Sequence, residues 1–252
     1  MSPAPGGTVD AAEAARFAAL AGDWWDEAGA FAPLHRLNPA RLTYIRDRLC
    51  AHFARDPKGR KPLAGLNVLD VGAGGGLVAE PLARLGARVT GIDAVEDNVR
   101  IAREHASGAR LAIDYRCAAA EDLAAEGGRF DAVIALEVIE HVADREAFLA
   151  ALARLVAPSG ALILSTINRT PRAYALAIVG AEYVMRWLPR GTHSWSKFVR
   201  PSELAAGLRP HGFALADLTG LAYDLATGEW GLSRDVAVNY LAFAVRSNWG
   251  SI

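Results

Sequence analysis

The sequence predicts an α/β fold: a mostly parallel sheet covered by helices that closes with an antiparallel strand pair and carries a helical N-terminal extension. Three observations predict it. Short apolar runs alternate with helix-length segments between residues 67 and 166. A glycine-rich turn, Gly72–Gly76, follows the first of these runs directly. Two later segments alternate polar and apolar residues, as half-buried antiparallel strands do.

The elements follow in order. Residues 1–8 (MSPAPGGT) read as a flexible tail, and Val9–Trp25 as a helix that ends near Gly29. Phe31–Asn38 reads as a connector. Asn38 then serves as N-cap and Pro39 as first helical residue of a helix running to about Phe53. Residues 56–65, with two prolines and two glycines, form a loop. Strands are expected at Asn67–Val71, Arg88–Ile92, Leu111–Cys117, Phe130–Leu136 and Ala161–Thr166. Helices are expected at Leu77–Leu85, on through His105 after the second strand, and at Asp144–Val156, before a Pro158–Gly160 turn. Pro171–Leu188 reads as an apolar helix and Pro201–Leu208 as a short one. Phe213–Leu221 and Ala237–Arg246 read as an antiparallel edge pair.

Composition narrows the function classes. Of 252 residues, 27 are Lys or Arg and 28 Asp or Glu, for a net charge of −1, which argues against a nucleic-acid partner. Hydrophobic residues make up 52%; 51 of them are alanines, and about 80 larger apolar side chains remain, enough for one sizeable core. Cys50 and Cys117 are too few for a disulfide framework, which points to a reducing cytoplasm. No secretory leader is read at the start, and no run reaches the ~18–20 apolar residues of a spanning helix. The nearest, Ala173–Leu188, is broken by Glu182 and Arg186.

The glycine turn, Asp70-Val71-Gly72-Ala73-Gly74-Gly75-Gly76, joins a strand to a helix. Asp93 lies 21 residues after Gly72, where a carboxylate can accept hydrogen bonds from ribose hydroxyls. A dinucleotide fingerprint needs a third glycine at position 77, which is Leu77. Asp70 would repel a pyrophosphate but attract the ammonium and sulfonium of S-adenosylmethionine. That cofactor fits best; a dinucleotide and a turn used only for packing stay open.

After the fourth strand comes Leu136-Glu137-Val138-Ile139-Glu140-His141. On a helical turn, Glu137, Glu140 and His141 would share one face. Three readings stand: a divalent cation such as Mg held by all three, a metal-free base at His141, or carboxylates that merely cap the next helix. A cation holding two adjacent oxygens of a catechol would lower the phenol pKa, which suits catechol O-methylation.

The glycine turn with Asp70 and Asp93 resembles the class I S-adenosylmethionine-dependent methyltransferases. That resemblance implies the class I methyltransferase (Rossmann-like) sheet, with Gly72 and Gly74 facing the methionine part of the cofactor, Asp93 the ribose, and Glu121 and Asp122 the adenine. The flanks are closer still. Trp24-Trp25-Asp26, the segment Phe31–Leu42, LDVGAGGG, ALEVIEHV, STINRT and VGAEYVMRWLPRGTH together resemble the ubiquinone biosynthesis O-methyltransferases over about residues 13–243. The resemblance implies methyl transfer to a catechol hydroxyl of 2-polyprenyl-6-hydroxyphenol and 3-demethylubiquinol. It places Arg41, Gly72, Asp93 and Leu136 at the cofactor, and makes the positions of Glu137, Glu140 and His141 metal ligands in eukaryotic relatives. Leu136 departs from the methionine often found there, and Ala73 from a frequent cysteine; neither change disturbs the chemistry.

On this reading residues 9–60 form a helical lid or substrate cap, and 61–252 the methyltransferase domain with an apolar insertion at 171–200. The aromatic and arginine content of 171–190 suits either a buried helix or transient contact with a membrane surface. A polyprenylated substrate favours the latter. The expected place is then the cytoplasm, peripheral at the inner face of the cell membrane, with a quinone-biosynthesis enzyme complex as a further expected partner.

Overall fold

The computed structural model describes residues 7–176, 195–224 and 226–247. Among these residues there are eight strands: β1 (Asn67–Val71), β2 (Arg88–Asp93), β3 (Asp114–Cys117), β4 (Phe130–Leu136), β5 (Val156–Ile167), β6 (Phe213–Asp224), β7 (Glu229–Ser233) and β8 (Asn239–Arg246). They form one sheet in the order β3-β2-β1-β4-β5-β8-β6-β7. The first five are parallel, and β8 pairs antiparallel with both β5 and β6.

The period of two along each strand divides the core. Val68, Ile134, Ile163 and Leu241 pack beneath α2 (Ala32–His52), α3 (Ala79–Arg84) and α4 (Glu96–Gly108). Their chain neighbours Leu69, Val133, Leu162 and Ala242 pack beneath α5 (Ala120–Ala125), α6 (Arg145–Leu155) and α8 (Pro201–Leu208). Helices thus cover both faces, and the near-continuous apolar runs of the strands follow from that. The N-terminal helix α1 (Ala11–Ala19) starts at Asp10, which caps the amides of Ala12 and Glu13. A 3-10 turn, Ala21–Asp23, follows it in place of the continuous helix expected to Trp25.

Several expected boundaries move. Helix α2 begins at Ala32, not Pro39. Pro33 occupies its first turn, where a missing N–H costs nothing, and Pro39 lies inside. Asn38 caps nothing; its Nδ2 donates to the Leu77 carbonyl at 2.6 Å. Burial of Leu37, Ala40, Tyr44 and Ile45 on the sheet offsets the hydrogen bond that Pro39 removes. Residues 158–160, expected as a turn, belong to β5. The expected edge pair is corrected too: β8 is interior, and the edge is β7, which was not expected. Pro171–Ala173 forms one helical turn (α7). Residues 177–188 of the expected apolar helix, and 177–194 of the insertion, lie outside the described residues. Among the described residues no helix is long and apolar enough to cross a membrane.

Candidate active site

The carboxyl ends of β1, β2, β4 and β5 open onto a cavity of about 950 Å³. This is where an open α/β sheet offers its ligand crevice, and the volume lies at the upper end of the roughly 300–1,000 Å³ usual for ligand pockets. Asp70, Gly72, Asp93, Arg41, Leu136, Glu137, Glu140 and His141 all line it, so eight of the eleven expected site residues are brought together.

Asp70 is buried, and its Oδ2 accepts no hydrogen bond from any described residue. Burial, with the nearby Asp93 charge second, pushes its carboxyl up to about 7. A buried acceptor without a donor is costly unless a ligand supplies one, and a cationic ligand would supply charge as well. The cavity therefore fits the cationic methionyl end of S-adenosylmethionine and disfavours a pyrophosphate. Asp93 is held on both oxygens: Oδ2 accepts from Gly74 N (2.9 Å), and Oδ1 from Val95 N (2.9 Å) and Asn98 Nδ2 (3.2 Å). Burial raises its pKa, and these three bonds oppose the rise. Fixed in this way, its carboxylate presents remaining lone pairs to the cavity, where a ribose diol can donate.

The glycine turn serves a purpose that sequence reasoning missed. Gly74 has φ +53°, and a Cβ there would stand 2.3 Å from the Trp24 ring. Gly74 therefore does not line the cavity; Trp24 covers it. Trp24 stacks on Phe31 (centroids 3.8 Å apart, 3° between planes) and donates through Nε1 to Asn98 Oδ1 at 2.8 Å. Trp25 donates to the Gly75 carbonyl at 3.0 Å and stacks on His105. The N-terminal segment is thus fastened to the loop and, through Asn98, to Asp93. Gly72, at φ +71°, does line the cavity, and a Cβ there would meet Val138 at 2.5 Å.

The Glu-x-x-Glu-His segment is not the helical turn expected. Glu137 lies in the left-handed region at φ +55°, and His141 N closes a turn onto the Val138 carbonyl at 2.9 Å. Glu137 Oε1 accepts from Arg41 Nη2 (2.9 Å) and Ser165 Oγ (2.7 Å). Arg41 is buried, and its partner here is Glu137 rather than a ligand carboxylate. Glu140 is buried against Thr166, whose hydroxyl donates to it at 2.9 Å. Burial, then the Glu137 charge, holds its carboxyl well above the usual range. His141 Nδ1 lies 3.2 Å from Glu13 Oε2, and Phe17 meets the imidazole edge-on at 5.4 Å.

These residues do not fit a divalent cation as arranged. A metal would have to displace Arg41 from Glu137, ionise Glu140 and turn His141 from Glu13. Among the described residues no three His, Cys, Asp or Glu are grouped as a metal requires.

Glu121 and Asp122 do not line the cavity either. Glu121 Oε1 accepts from Thr8 N at 3.0 Å, and Asp122 accepts from Ala119 N at 3.1 Å at the start of its own helix. Asp122 thus answers a free amide at the start of its own helix, and Glu121 an amide of the N-terminal segment. The neighbouring wall is Ala118–Ala120 instead. Glu13 is a cavity-lining residue that sequence reasoning missed. Asp10 and Glu13 have the spacing of a helix start, but Glu13 reaches Lys197 (3.1 Å) and His141, far along the chain, and no local signal marks that.

Comparison with known proteins agrees with this geometry. Residues 69–164 match a family model described as a methyltransferase domain. A ubiquinone biosynthesis O-methyltransferase of a Methylobacterium species is 53% identical over 98% of this chain and 99% of its own. The mitochondrial ubiquinone biosynthesis O-methyltransferase of Arabidopsis thaliana is 52% identical over 93% of this chain and 73% of its own. Among solved structures, magnesium protoporphyrin IX methyltransferase from Synechocystis with bound SAH superposes with a TM-score of 0.61. It covers 93% of this chain and 94% of that one at 23% identity, a likeness of fold.

Proposed function

The chain belongs to the ubiquinone biosynthesis O-methyltransferase family and is an S-adenosylmethionine-dependent methyltransferase; from that premise we propose that it methylates a catechol hydroxyl of polyprenylated ubiquinone precursors, 2-polyprenyl-6-hydroxyphenol and 3-demethylubiquinol. One observation carries the chemistry. A buried carboxylate lacking a donor on Oδ2, Asp70, and an imidazole beside a carboxylate, His141 with Glu13, face the same cavity.

S-adenosylmethionine, when bound, supplies an electrophilic methyl group. Asp70 holds its cationic end, Asp93 its ribose hydroxyls, and Gly72 and Leu136 line its berth. His141 takes the phenol proton as the oxygen attacks, because a phenolate is a far better nucleophile than a phenol. Glu13 Oε2, 3.2 Å from Nδ1, stabilises the imidazolium that forms. Arg41 pairs with Glu137 and anchors it next to this base. The Trp24–Phe31 stack and α1 keep water from the cofactor end. Activity assays on a prenylated catechol test the reading: methylated product is expected from the wild type, and His141→Ala should lower kcat by roughly 10²–10⁴-fold.

We also propose peripheral contact with the inner face of the membrane through 171–190. Tyr174 and Leu176 are exposed, at 47% and 50%, beside Arg172 at the cavity's rim, and that mix of residues suits the lipid interface. Co-sedimentation with anionic liposomes is expected, and undiminished binding after deletion of 173–188 would refute it.

A further inference from the structure

Strands β6 and β7 form a hairpin that overshoots the sheet. β8 begins at Asn239, opposite Ile167 at the carboxyl end of β5. β6 runs on past it: Leu221 N is held by the Asn239 side chain, and the residues beyond pair only with β7. Leu221 stands opposite Leu232, and Tyr223 opposite Trp230. With a period of two, these four side chains share one face. The other face carries Ala222 opposite Gly231, and the hairpin's end carries Asp224 opposite Glu229.

The apolar face is graded. Leu221 is buried, Tyr223 and Trp230 are half-buried, and Leu232 is 43% exposed. The first three line the active-site cavity, and Leu232 continues the same face outward to solvent. Cofactor-type groups, Asp93 and Asp70, lie on β2 and β1. From β2 to β7 is six strand spacings along the sheet, about 29 Å at ~4.8 Å each. One cavity therefore runs from a charged end through the Glu137–His141 turn to an apolar, outward-opening end.

We propose that the β6–β7 hairpin is the tail cleft of this enzyme: Leu221, Tyr223, Trp230 and Leu232 grip the proximal part of a substrate hydrocarbon chain while the catechol ring lies at His141. The proposal rests on the catechol reading above and adds where chain-length preference is written. The occupant is an uncharged linear hydrocarbon for two reasons. The groove is continuous with the reaction site, and the face shared by Leu221, Tyr223, Trp230 and Leu232 carries no charge, while the charged residues at its rim, Arg172 and Asp235, are paired with each other at 2.6 Å. A rising exposure toward Leu232 is what a chain leaving the protein for lipid requires.

The test compares kcat/KM for a farnesyl-substituted catechol with that for tail-less catechol, each with S-adenosylmethionine, in wild type, Trp230→Ala and Leu232→Ser. Cofactor affinity by calorimetry reports whether each variant is folded. Leu232 is exposed, so its variant carries little folding burden. The wild type is expected to prefer the farnesyl substrate, and Trp230→Ala to cut that preference about tenfold, with a smaller cut from Leu232→Ser. A preference unchanged in both variants overturns the tail cleft and leaves the catechol reading intact. Unchanged preference with a Leu232→Ser chain that shifts from dimer to monomer assigns the patch to a second copy instead, which also overturns it. A wild type that methylates neither catechol overturns the underlying reading and the cleft with it.

Discussion

Asp70 couples cofactor binding to pH. In the cofactor-free protein its carboxyl is pushed up to about 7 by burial and by Asp93, from an ordinary value near 3.8. Its native pKa lies above its unfolded one, so the native state holds the extra proton between those values. Its contribution to stability is then fully present below pH 4 and is lost as pH rises through 7, about 4 kcal/mol in all. A bound cation reverses the preference, since it pairs only with the ionised form. Affinity for S-adenosylmethionine should therefore rise with pH up to about 7 and then level. At pH 6 it should lie about tenfold below the plateau, one pKa unit being worth 1.36 kcal/mol. Binding at pH 6 should also release close to one proton. Calorimetry in two buffers of different ionisation enthalpy measures both quantities. Asp70→Asn should flatten the profile and weaken binding at pH 8 by about 1.5–3 kcal/mol, the range for a hydrogen bond to a charged group. An affinity flat from pH 6 to 8 in the wild type, or the same slope in Asp70→Asn, would refute the reasoning.

Three further outcomes are expected. Gly74→Ala should lose about 2–4 kcal/mol in urea unfolding, from the left-handed backbone and the overlap with Trp24; combining it with Trp24→Ala should recover part of the loss, whereas strict additivity would show that the ring and the loop do not compete. Turnover should persist in EDTA, because Arg41 and Ser165 already occupy Glu137 and Thr166 already bonds Glu140; a full loss restored by Mg²⁺ would return the three residues to the role of metal ligands. Tyr44→Phe should cost about 1–3 kcal/mol, since the buried phenol donates to Asp217 at 2.9 Å and ties α2 to β6; an unchanged denaturation midpoint would show that Arg48 and Thr219 suffice for Asp217.

The parts of the fold that were legible in the sequence are those governed by local rules. β1, the glycine turn, β2 and β4 follow from apolar runs and punctuation, and Asp70 and Asp93 follow from their spacing to Gly72. Where two local signals compete, tertiary packing decides. Pro33 and Pro39 are both good helix starts, and burial of the α2 face chooses the earlier. The end of β6 beyond Leu221 and the whole of β7 were not legible because Gly228 and Gly231 interrupt the stretch after Leu221, although Tyr223, Trp230 and Leu232 continue its alternation. Glu121 and Asp122 could not be placed from sequence, since a carboxylate in a first helical turn answers either its own amides or a ligand equally well on paper. Gly74 and Glu13 lay beyond reach for a different reason: their partners, Trp24 and His141, are long-range contacts made only by the folded N-terminal segment.

The most direct test of the central claim is single-turnover methyl transfer. Purified protein, S-adenosylmethionine labelled on its methyl group and a prenylated catechol are mixed, and the product is read by mass spectrometry, beside His141→Ala and Glu13→Gln. The account predicts label on a catechol oxygen in the wild type, a severe loss of rate in His141→Ala, a smaller one in Glu13→Gln, and cofactor affinity retained in both. No labelled catechol from the wild type, or a full rate from His141→Ala, would contradict it.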